Sequence, residues 1–262
     1  MSTEVLSQAV DPASDRAVYK QIADHLRDAI GQGRLAPGDQ LPSEAQLMAH
    51  YGVARMTARN ALRLLQDEGL ITAEHGRGVY VRARPPVRRL ASDRFAQRYR
   101  KEGKAAFTIE AEQAGAEPRV ERIQVSQEEP PAEVADRLQL GGQDQVVVRS
   151  RRYLLDDRPV ETAVSYIPAD LAGGTPIGDP NPGPGGIYAR LEEQGHILER
   201  FTEEVSARMP TPEEARALNL PPSVPVFRLV RTAYDTDGRA VEVCDTIMAA
   251  DAYVLAYDLP AH

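Results

Sequence analysis

The chain has 262 residues, 42% of them hydrophobic and 27% charged, which is the composition of an ordinary globular protein. No apolar run approaches the roughly 18 residues of a membrane-spanning helix, and the N-terminal residues carry no secretory signal. We therefore expect a cytoplasmic protein with no membrane partner. Cys244 is the only cysteine, which excludes an internal disulfide and a cysteine-based zinc site.

The net charge of −8 is unevenly distributed along the chain. Residues 1–89 carry 12 Lys and Arg against 10 Asp and Glu, whereas the remaining residues carry 19 against 29. Within the first part, residues 52–89 carry 8 basic residues and 3 acidic ones. Binding to nucleic acid depends on how charge clusters on one surface, so the acidic total does not exclude DNA as a partner.

Three helices are predicted in the N-terminal part of the chain. Apolar residues at helical spacing indicate the first helix within residues 18–33, where two glycines end it. Ser43 and Gln46 have the spacing of a capping box and start the second helix. A third helix is predicted from about residue 54 to residue 68. The inward face of this third helix is formed by Ala58, Ala61, Leu62 and Leu65.

Two β-like runs, LITAE and GVYVR, follow the third helix around a turn at residues 75–78. Three helices and a hairpin in this order are typical of a winged helix-turn-helix, which we expect over residues 15–82. A recognition helix reads base edges in the major groove with its N-terminal residues, and the wing approaches the DNA beside it. The predicted contacts with a double-stranded DNA operator are Arg55, Thr57, Arg59, His75, Gly76 and Arg77.

The segment from Val18 to Val81 resembles the DNA-binding domain of the GntR family of bacterial transcription regulators. The likeness rests on G-x-L-x-P-G-x-x-L-P-S-E, Y-G-V-x-R-M-T-x-R-x-A-L and E-x-G-L-I-x-x-x-x-G-x-G-x-Y-V. The resemblance implies the same helix contacts and places His75 and Gly76 on the wing. Ala45 and Ala54 depart from the family pattern, since they stand where an arginine and a capping serine are frequent.

Residues 83–100 are interpreted as a linker, because RARPPVRRLASDR combines arginines with a central Pro85-Pro86 that stiffens the chain. A second domain is predicted over residues 101–262. It contains an internal repeat, in which the segments 136–171 and 216–255 align at a separation of 80 and then 81 residues. Each half is predicted as a short helix, a strand, a tight turn and a second strand. Two such hairpins favour an antiparallel sheet covered by helices, so the chain is predicted to be α+β.

This second half resembles the effector-sensing UTRA domain of the HutC subfamily, whose fold is similar to that of chorismate lyase. The likeness is carried by FTIEAEQAG, DRPVETAVSYIP, GGIYARLEEQG and DGRAVEVCDTIMAADAY. Counting back from Pro159 places the subfamily's arginine pair on Arg151 and Tyr153, and Arg149 substitutes only if the strand register differs. The resemblance implies a small-molecule effector bound by Phe107, Thr108, Arg149, Arg151, Tyr153, Glu161, Tyr188, Glu242 and Met248.

Each of these residues also has an ordinary structural interpretation. The arginines of the third helix fit a solvated charged face, and His75 fits a simple turn residue. Arg151, Glu161 and Glu242 fit ion pairs that hold the hairpins together. The sequence has no cluster of residues at metal-ligand spacing, no G-x-S-x-G and no P-loop, so we expect no cofactor, no metal site and no enzymatic activity.

Two functions follow from these patterns. The first is a ligand-responsive transcription regulator, expected to be a repressor that binds a palindromic operator as a homodimer. The second is a DNA-binding protein whose C-terminal domain only dimerises and senses no ligand.

Overall fold

The computed structural model describes residue 6 and residues 9–74, 77–82, 87–91, 94–96, 98–99, 102–221 and 223–258. The chain divides into two compact units, Met1–Arg84 with Pro221–Val224 and Pro85–Leu220 with Pro225–His262. The first is dominated by helices and the second by an antiparallel sheet, so the predicted α+β class is confirmed.

The first unit contains three helices followed by a two-stranded hairpin, as the sequence predicts. Its elements are α1 (Val18–Gly31), α2 (Glu44–Tyr51), α3 (Arg55–Asp67), β1 (Ile71–Glu74) and β2 (Gly78–Val81). All three helices and both strands contribute apolar side chains to one core. The side chains that α3 buries in it are Ala58, Ala61, Leu62 and Leu65, the inward face expected from their spacing.

The start of α2 is capped and the start of α3 is not. Ser43 Oγ accepts a hydrogen bond from the Gln46 amide at 3.3 Å, while Gln46 Oε1 accepts one from the Ser43 amide at 2.8 Å, which confirms the capping box. Ala54 occupies the N-cap of α3 and provides no side-chain acceptor. The first amide groups of α3 are therefore left for another acceptor, such as a phosphate oxygen.

The substitution Ala54→Ser is expected to stabilise the first unit by about 1 kcal/mol. Ala54 already has the extended backbone of an N-cap, with φ −68° and ψ 154°, so a serine hydroxyl accepts from the first turn without rearrangement. Chemical denaturation followed by circular dichroism measures the change. Ser43→Ala is the opposite control, because it removes an existing cap and should cost a similar amount. Equal stability of A54S and the parent would contradict the prediction.

The second unit is organised around one six-stranded antiparallel sheet. Its strands are β4 (Pro118–Glu128), β5 (Val146–Leu155), β6 (Arg158–Pro168), β7 (Leu198–Arg208), β8 (Val226–Asp235) and β9 (Ala240–Ala249), in the spatial order β4-β5-β6-β9-β8-β7. Its helices are α4 (Ala106–Ala114), α5 (Ala132–Leu138), α6 (Ala169–Ala172), α7 (Gly186–Glu193) and α8 (Pro212–Ala217).

The sequence repeat is also a repeat of structure, and it begins further upstream than the sequence alone indicates. The order helix, strand, helix, strand, strand occurs from α4 to β6 and again from α7 to β9. Gln139 and Asn219, which follow α5 and α8, adopt the same left-handed backbone with φ 56° and 50°. The two copies meet where β6 pairs with β9, and there Val164 lies opposite its own counterpart Asp245. Corresponding residues of the two copies therefore lie on the same face of the sheet.

Part of the stretch 83–100, which the sequence suggests is a linker, belongs to the second unit. Val87–Leu90 forms a strand (β3) that pairs in parallel with β10 (Tyr253–Ala256). Arg89 of this strand is fully buried and donates to Glu203 Oε1 at 2.8 Å. A buried charge needs such a partner, and the pair attaches the strand to the sheet. Pro85 and Pro86 lie outside the described residues.

Candidate DNA-binding face and effector cavity

The arginines of α3 lie on the face opposite its buried residues. Arg55, Arg59 and Arg63 are all exposed. The buried residues of α3 are Ala58, Ala61, Leu62 and Leu65. Thr57 lies in the first turn of the same helix, and its side chain is partly buried. This arrangement presents two guanidinium groups one turn apart at the N-terminal end of the helix, where a recognition helix contacts bases.

Glu44, the first residue of α2, holds both of these arginines. The Nε atoms of Arg55 and Arg59 donate to its two carboxylate oxygens at 2.8 and 2.9 Å. Both hydrogen bonds hold the pKa of Glu44 below its usual range, and the one from Arg59 has the larger effect. Glu44 was not among the predicted site residues. It sets the two guanidinium groups side by side, and it lies beside the surface on which DNA is expected.

The wing is fixed at its base by the chain that precedes α2. Gln40 Nε2 donates to the carbonyl oxygen of Arg77 at 3.0 Å, and Tyr80 Oη donates to the same oxygen at 3.1 Å. Gly78 has φ 126° and lies so close to Gln40 that an added Cβ would be 2.4 Å from its Nε2. The positive φ favours glycine at this position. Arg77 is exposed, and the predicted contacts His75 and Gly76 lie outside the described residues.

A cavity of about 480 Å³ lies within the second unit. It opens over the central strands of the sheet, and its walls come from α4, from α7 and from the Gly/Pro-rich loop before α7. Eight of the nine predicted effector-binding residues line it together: Phe107, Thr108, Arg149, Arg151, Tyr153, Glu161, Tyr188 and Glu242. Volumes of this size accommodate small-molecule ligands.

Met248 is the predicted residue that does not line the cavity. It is fully buried in the apolar core, and its sulfur accepts a hydrogen bond from Arg89 Nη1 at 3.4 Å. Met248 shares a face of β9 with Glu242, because alternate residues of a strand point the same way. It lies past the end of the cavity, opposite Glu161 in the β6–β9 pairing. Met248 is therefore not brought to the cavity with the other eight residues, and its role as an effector contact stays a prediction.

The cavity receives two arginines from β5. Arg149 and Arg151 are two residues apart and point to the same side together with Tyr153, so no shift of register is needed to bring Arg149 in. The two positions counted back from Pro159, Arg151 and Tyr153, both line the cavity, and Arg149 lines it beside them. The arginine pair at the cavity is thus Arg149 with Arg151.

Neither of these arginines has a carboxylate partner among the described residues. Arg149 donates to the carbonyl oxygens of Ile177 at 2.5 Å and Pro180 at 3.1 Å, and also to that of Asp179, so it anchors the Gly/Pro loop. Arg151 donates from Nε to Tyr153 Oη at 2.6 Å and from Nη2 to Ser165 Oγ at 2.7 Å. The hydrogen bonds of these two neighbouring guanidinium groups therefore go to neutral acceptors.

Glu242 lies in a different environment, next to Arg231 and Tyr188. Arg231 donates from Nη2 to Glu242 Oε2 at 3.5 Å and from Nε to Tyr188 Oη at 3.0 Å, while Tyr188 donates to Glu242 Oε2. Burial raises the pKa of Tyr188 well above its usual value, so its hydroxyl stays protonated as a donor. The structural interpretation of Glu242, an ion pair within one hairpin, describes this contact. Glu161 instead accepts from Tyr253 Oη at 3.0 Å.

The chain just upstream of α4 supplies a further wall. Phe95 stacks on Phe201 with ring centroids 4.5 Å apart, and the guanidinium of Arg231 lies 4.4 Å from the centre of the Phe95 ring. Arg94 and Glu110 form a buried ion pair at 2.8 Å beside it. Burial raises the pKa of Glu110. Of these residues, Arg94, Phe95 and Arg231 line the cavity.

The part of the chain that the structure describes contains neither a candidate metal site nor a candidate membrane span. No group of three or more His, Cys, Asp or Glu residues is placed to hold a metal ion. No helix there is both long and apolar enough to cross a membrane.

Comparison with known protein families identifies both units. The model of the gntR family of bacterial regulatory proteins matches residues 18–81, and the UTRA domain model matches residues 113–254. An HTH-type transcriptional regulator of Streptomyces coelicolor is 32% identical over 246 residues, covering 92% of this chain and 91% of that protein. The chain belongs to the GntR family.

Other GntR-family relatives align over nearly their whole length. The HTH-type transcriptional repressor NagR of Bacillus subtilis is 28% identical over 249 residues, covering 95% of this chain and 97% of that protein. The crystal structure of another GntR-family transcriptional regulator superposes with a TM-score of 0.61 at 31% identity, covering 95% of this chain and 99% of that one. These relatives are regulators of transcription, and this chain is a DNA-binding regulator of the same type.

Sequence reasoning missed several residues of the two GntR-family sites. Arg231 lines the cavity, and the internal repeat gave a signal for it, since Arg231 is the counterpart of Arg151. Arg94 and Phe95 also line the cavity, but they fall in the stretch interpreted as a linker, and no pattern marked them.

Proposed function

We propose that this regulator is a ligand-responsive repressor that binds a palindromic operator as a homodimer and leaves it when a small polar or anionic molecule occupies the cavity. The observation that carries the proposal is the presence of a partly charged cavity in a chain whose other unit is a winged helix-turn-helix. The similarity to NagR, which is named a repressor, supports the direction of regulation. Such a regulator acts in the cytoplasm, where bacterial DNA lies.

The proposed dimer follows from how little DNA one helix reads. A single recognition helix reaches a few base pairs, and helix-turn-helix proteins gain affinity by presenting two of them to half-sites about 34–36 Å apart, or multiples of that distance. An effector acts by favouring a dimer in which this spacing is lost, because a ligand shifts an equilibrium only through unequal affinity for its two states.

In the alternative function, the C-terminal domain dimerises and senses no ligand. That function does not explain why Arg149 and Arg151 lie together. Burying a guanidinium costs free energy unless its charge is balanced, and the hydrogen-bond acceptors of this pair are neutral. A binding site for an anion accounts for retaining two such groups beside an open volume. A purely structural sheet face would be expected to pair them with carboxylates.

Arg151→Ala is expected to abolish the effector response and to leave operator affinity unchanged, because Arg151 lies in the other domain. A metabolite screen by thermal shift first finds the effector, since a ligand that binds only the folded state raises apparent stability. DNase footprinting with and without that effector then gives the response of each variant.

Arg228→Ala is the matched control. Arg228 is also a strand arginine, but it binds Asp245 at 2.8 Å and does not line the cavity. If R151A still releases the operator at the same effector concentration, the cavity is not the sensing site. If no metabolite stabilises the parent protein while the footprint is normal, the dimerisation-only function is correct.

A further inference from the structure

We propose that the effector is an amphipathic monocarboxylate, with one negative charge on an apolar alkyl or aryl body, rather than a sugar phosphate. This inference rests on the proposed function, since it assigns a ligand class to the same cavity. It depends on two independent features of the cavity, the balance of its ionised groups and the composition of its outer wall.

The ionised groups around the cavity leave one positive charge unbalanced. Arg94 pairs with Glu110 at 2.8 Å and Arg231 with Glu242 at 3.5 Å, and at the rim Lys104 pairs with Glu112 at 2.6 Å. Of the remaining lining residues that the structure describes, the ionised ones are Arg149, Arg151 and Glu161. No carboxylate lies within ion-pair distance of either arginine among the described residues.

A singly charged anion restores neutrality at this site. A phosphate monoester carries close to two negative charges at neutral pH, so it would leave a buried excess of negative charge beside Glu161. Because an unbalanced buried charge is costly, the balance favours a carboxylate over a phosphate monoester. Arg151 is the group placed to meet it, since Arg151 lines the cavity and retains accessible surface, whereas Arg149 is only 3% exposed and binds the loop carbonyls.

The outer wall of the cavity is apolar where a sugar would require hydrogen-bonding groups. Val120 and Ile123 of β4 line it together with Phe107. Residues three apart in a regular strand point to opposite faces. The β4–β5 register, however, shifts between Glu121 and Gln124, and Arg122 there has φ 52°, so an inserted residue brings both side chains to the cavity.

Val120 and Ile123 are 41% and 38% exposed, so both have apolar surface that a ligand can cover. An apolar body that extends from Arg151 past Phe107 would cover them and gain about 25 cal/mol for each Å² of apolar surface removed from water. The bulge thus creates an apolar contact surface that the corresponding strand β7 lacks, because Arg200 and Glu203 occupy the counterpart positions there.

The test is a thermal-shift and calorimetric titration of the full chain with matched probes. Butyrate, octanoate, decanoate and phenylbutyrate present the proposed chemistry, phenylbutyramide is the uncharged isostere, and glucose 6-phosphate with inorganic phosphate represent the competing class. Octanoate, decanoate or phenylbutyrate is expected to raise Tm by about 3–6 °C at roughly ten times its Kd, and the amide and both phosphates to leave Tm unchanged.

Two pairs of variants locate the binding. Arg151→Gln should weaken carboxylate binding roughly 10- to 100-fold, the value of a charge-assisted hydrogen bond, whereas Arg228→Gln should not change it. Val120→Asn should weaken binding of the longer carboxylates by roughly tenfold and spare butyrate. Its control is Val205→Asn, an equally exposed valine on β7 (42%) that does not line the cavity.

Three results would overturn the ligand class: no shift with any carboxylate, equal binding of phenylbutyrate and its amide, or an Arg151-dependent shift with glucose 6-phosphate instead. Each of these leaves the proposed repressor function intact if the protein still footprints its operator. Conversely, a carboxylate that binds through Arg151 without changing operator affinity supports the ligand class and contradicts the proposed ligand response.

Discussion

The double variant Arg55→Ala, Arg59→Ala is expected to lose operator recognition while the protein stays folded. Each arginine that reads guanine contributes about 1–3 kcal/mol of discrimination. Both side chains are exposed, so their removal leaves the core of the first unit intact. Because Glu44 holds both, the single variants need not be additive. Fluorescence anisotropy with operator and random DNA, over a range of salt concentrations, gives the loss for each variant.

The salt dependence separates the two kinds of contact. A lost base contact lowers affinity for the operator alone, whereas a lost phosphate contact lowers affinity for all sequences and reduces the salt slope by about 1. Arg16→Ala is the matched control, since Arg16 is as exposed as Arg59 (51% and 50%) and pairs with Asp24 as Arg59 does with Glu44. A normal footprint from the double variant would mean that α3 is not the recognition helix.

Most of the first unit was predictable because its signals are local. Helical spacing, the Ser43–Gln46 capping box and the glycines between elements depend only on neighbouring residues, and the structure reproduces them. Glu44 was not predictable as a partner of Arg55 and Arg59. Those residues are 11 and 15 positions away, so their contact depends on how α2 packs against α3. No local pattern reports that packing.

The second unit shows which parts of a structure a sequence repeat can predict. Two similar hairpins predict two similar parts of one sheet, and the spatial order of the strands is symmetric about the β6–β9 pair. The repeat does not predict which contacts the corresponding side chains make. Arg231 pairs with a carboxylate of its own hairpin, whereas its counterpart Arg151 binds Tyr153 and Ser165. Met248 shares the face of Glu242 but does not line the cavity, because alternation gives the face of a strand and not the position where a cavity ends.

Glu242→Ala is expected to destabilise the second unit by about 3–5 kcal/mol, the usual cost of leaving a buried charge without its partner. Glu242 is fully buried and Arg231 nearly so, and the described residues offer Arg231 no other carboxylate within ion-pair distance. The hydroxyl of Tyr188 would also lose its acceptor, because it donates to the same carboxylate oxygen. Urea denaturation of the full chain measures the change in the free energy of unfolding, with the transition of the β-sheet unit followed separately from that of the helical unit.

The double variant Arg231→Met, Glu242→Leu distinguishes an unpaired charge from a simple loss of packing. Replacing a buried ion pair by apolar residues of similar volume is often neutral or stabilising, so this variant should recover most of the stability that Glu242→Ala loses. Glu161→Ala is the control within the repeat. Glu161 is the counterpart of Glu242 and is buried, but it accepts from Tyr253 rather than from an arginine, so its removal breaks no direct ion pair and should cost less. If Glu161→Ala and Glu242→Ala cost the same, or if the double variant is as unstable as Glu242→Ala, then the buried charge of Arg231 does not govern the stability of the cavity floor.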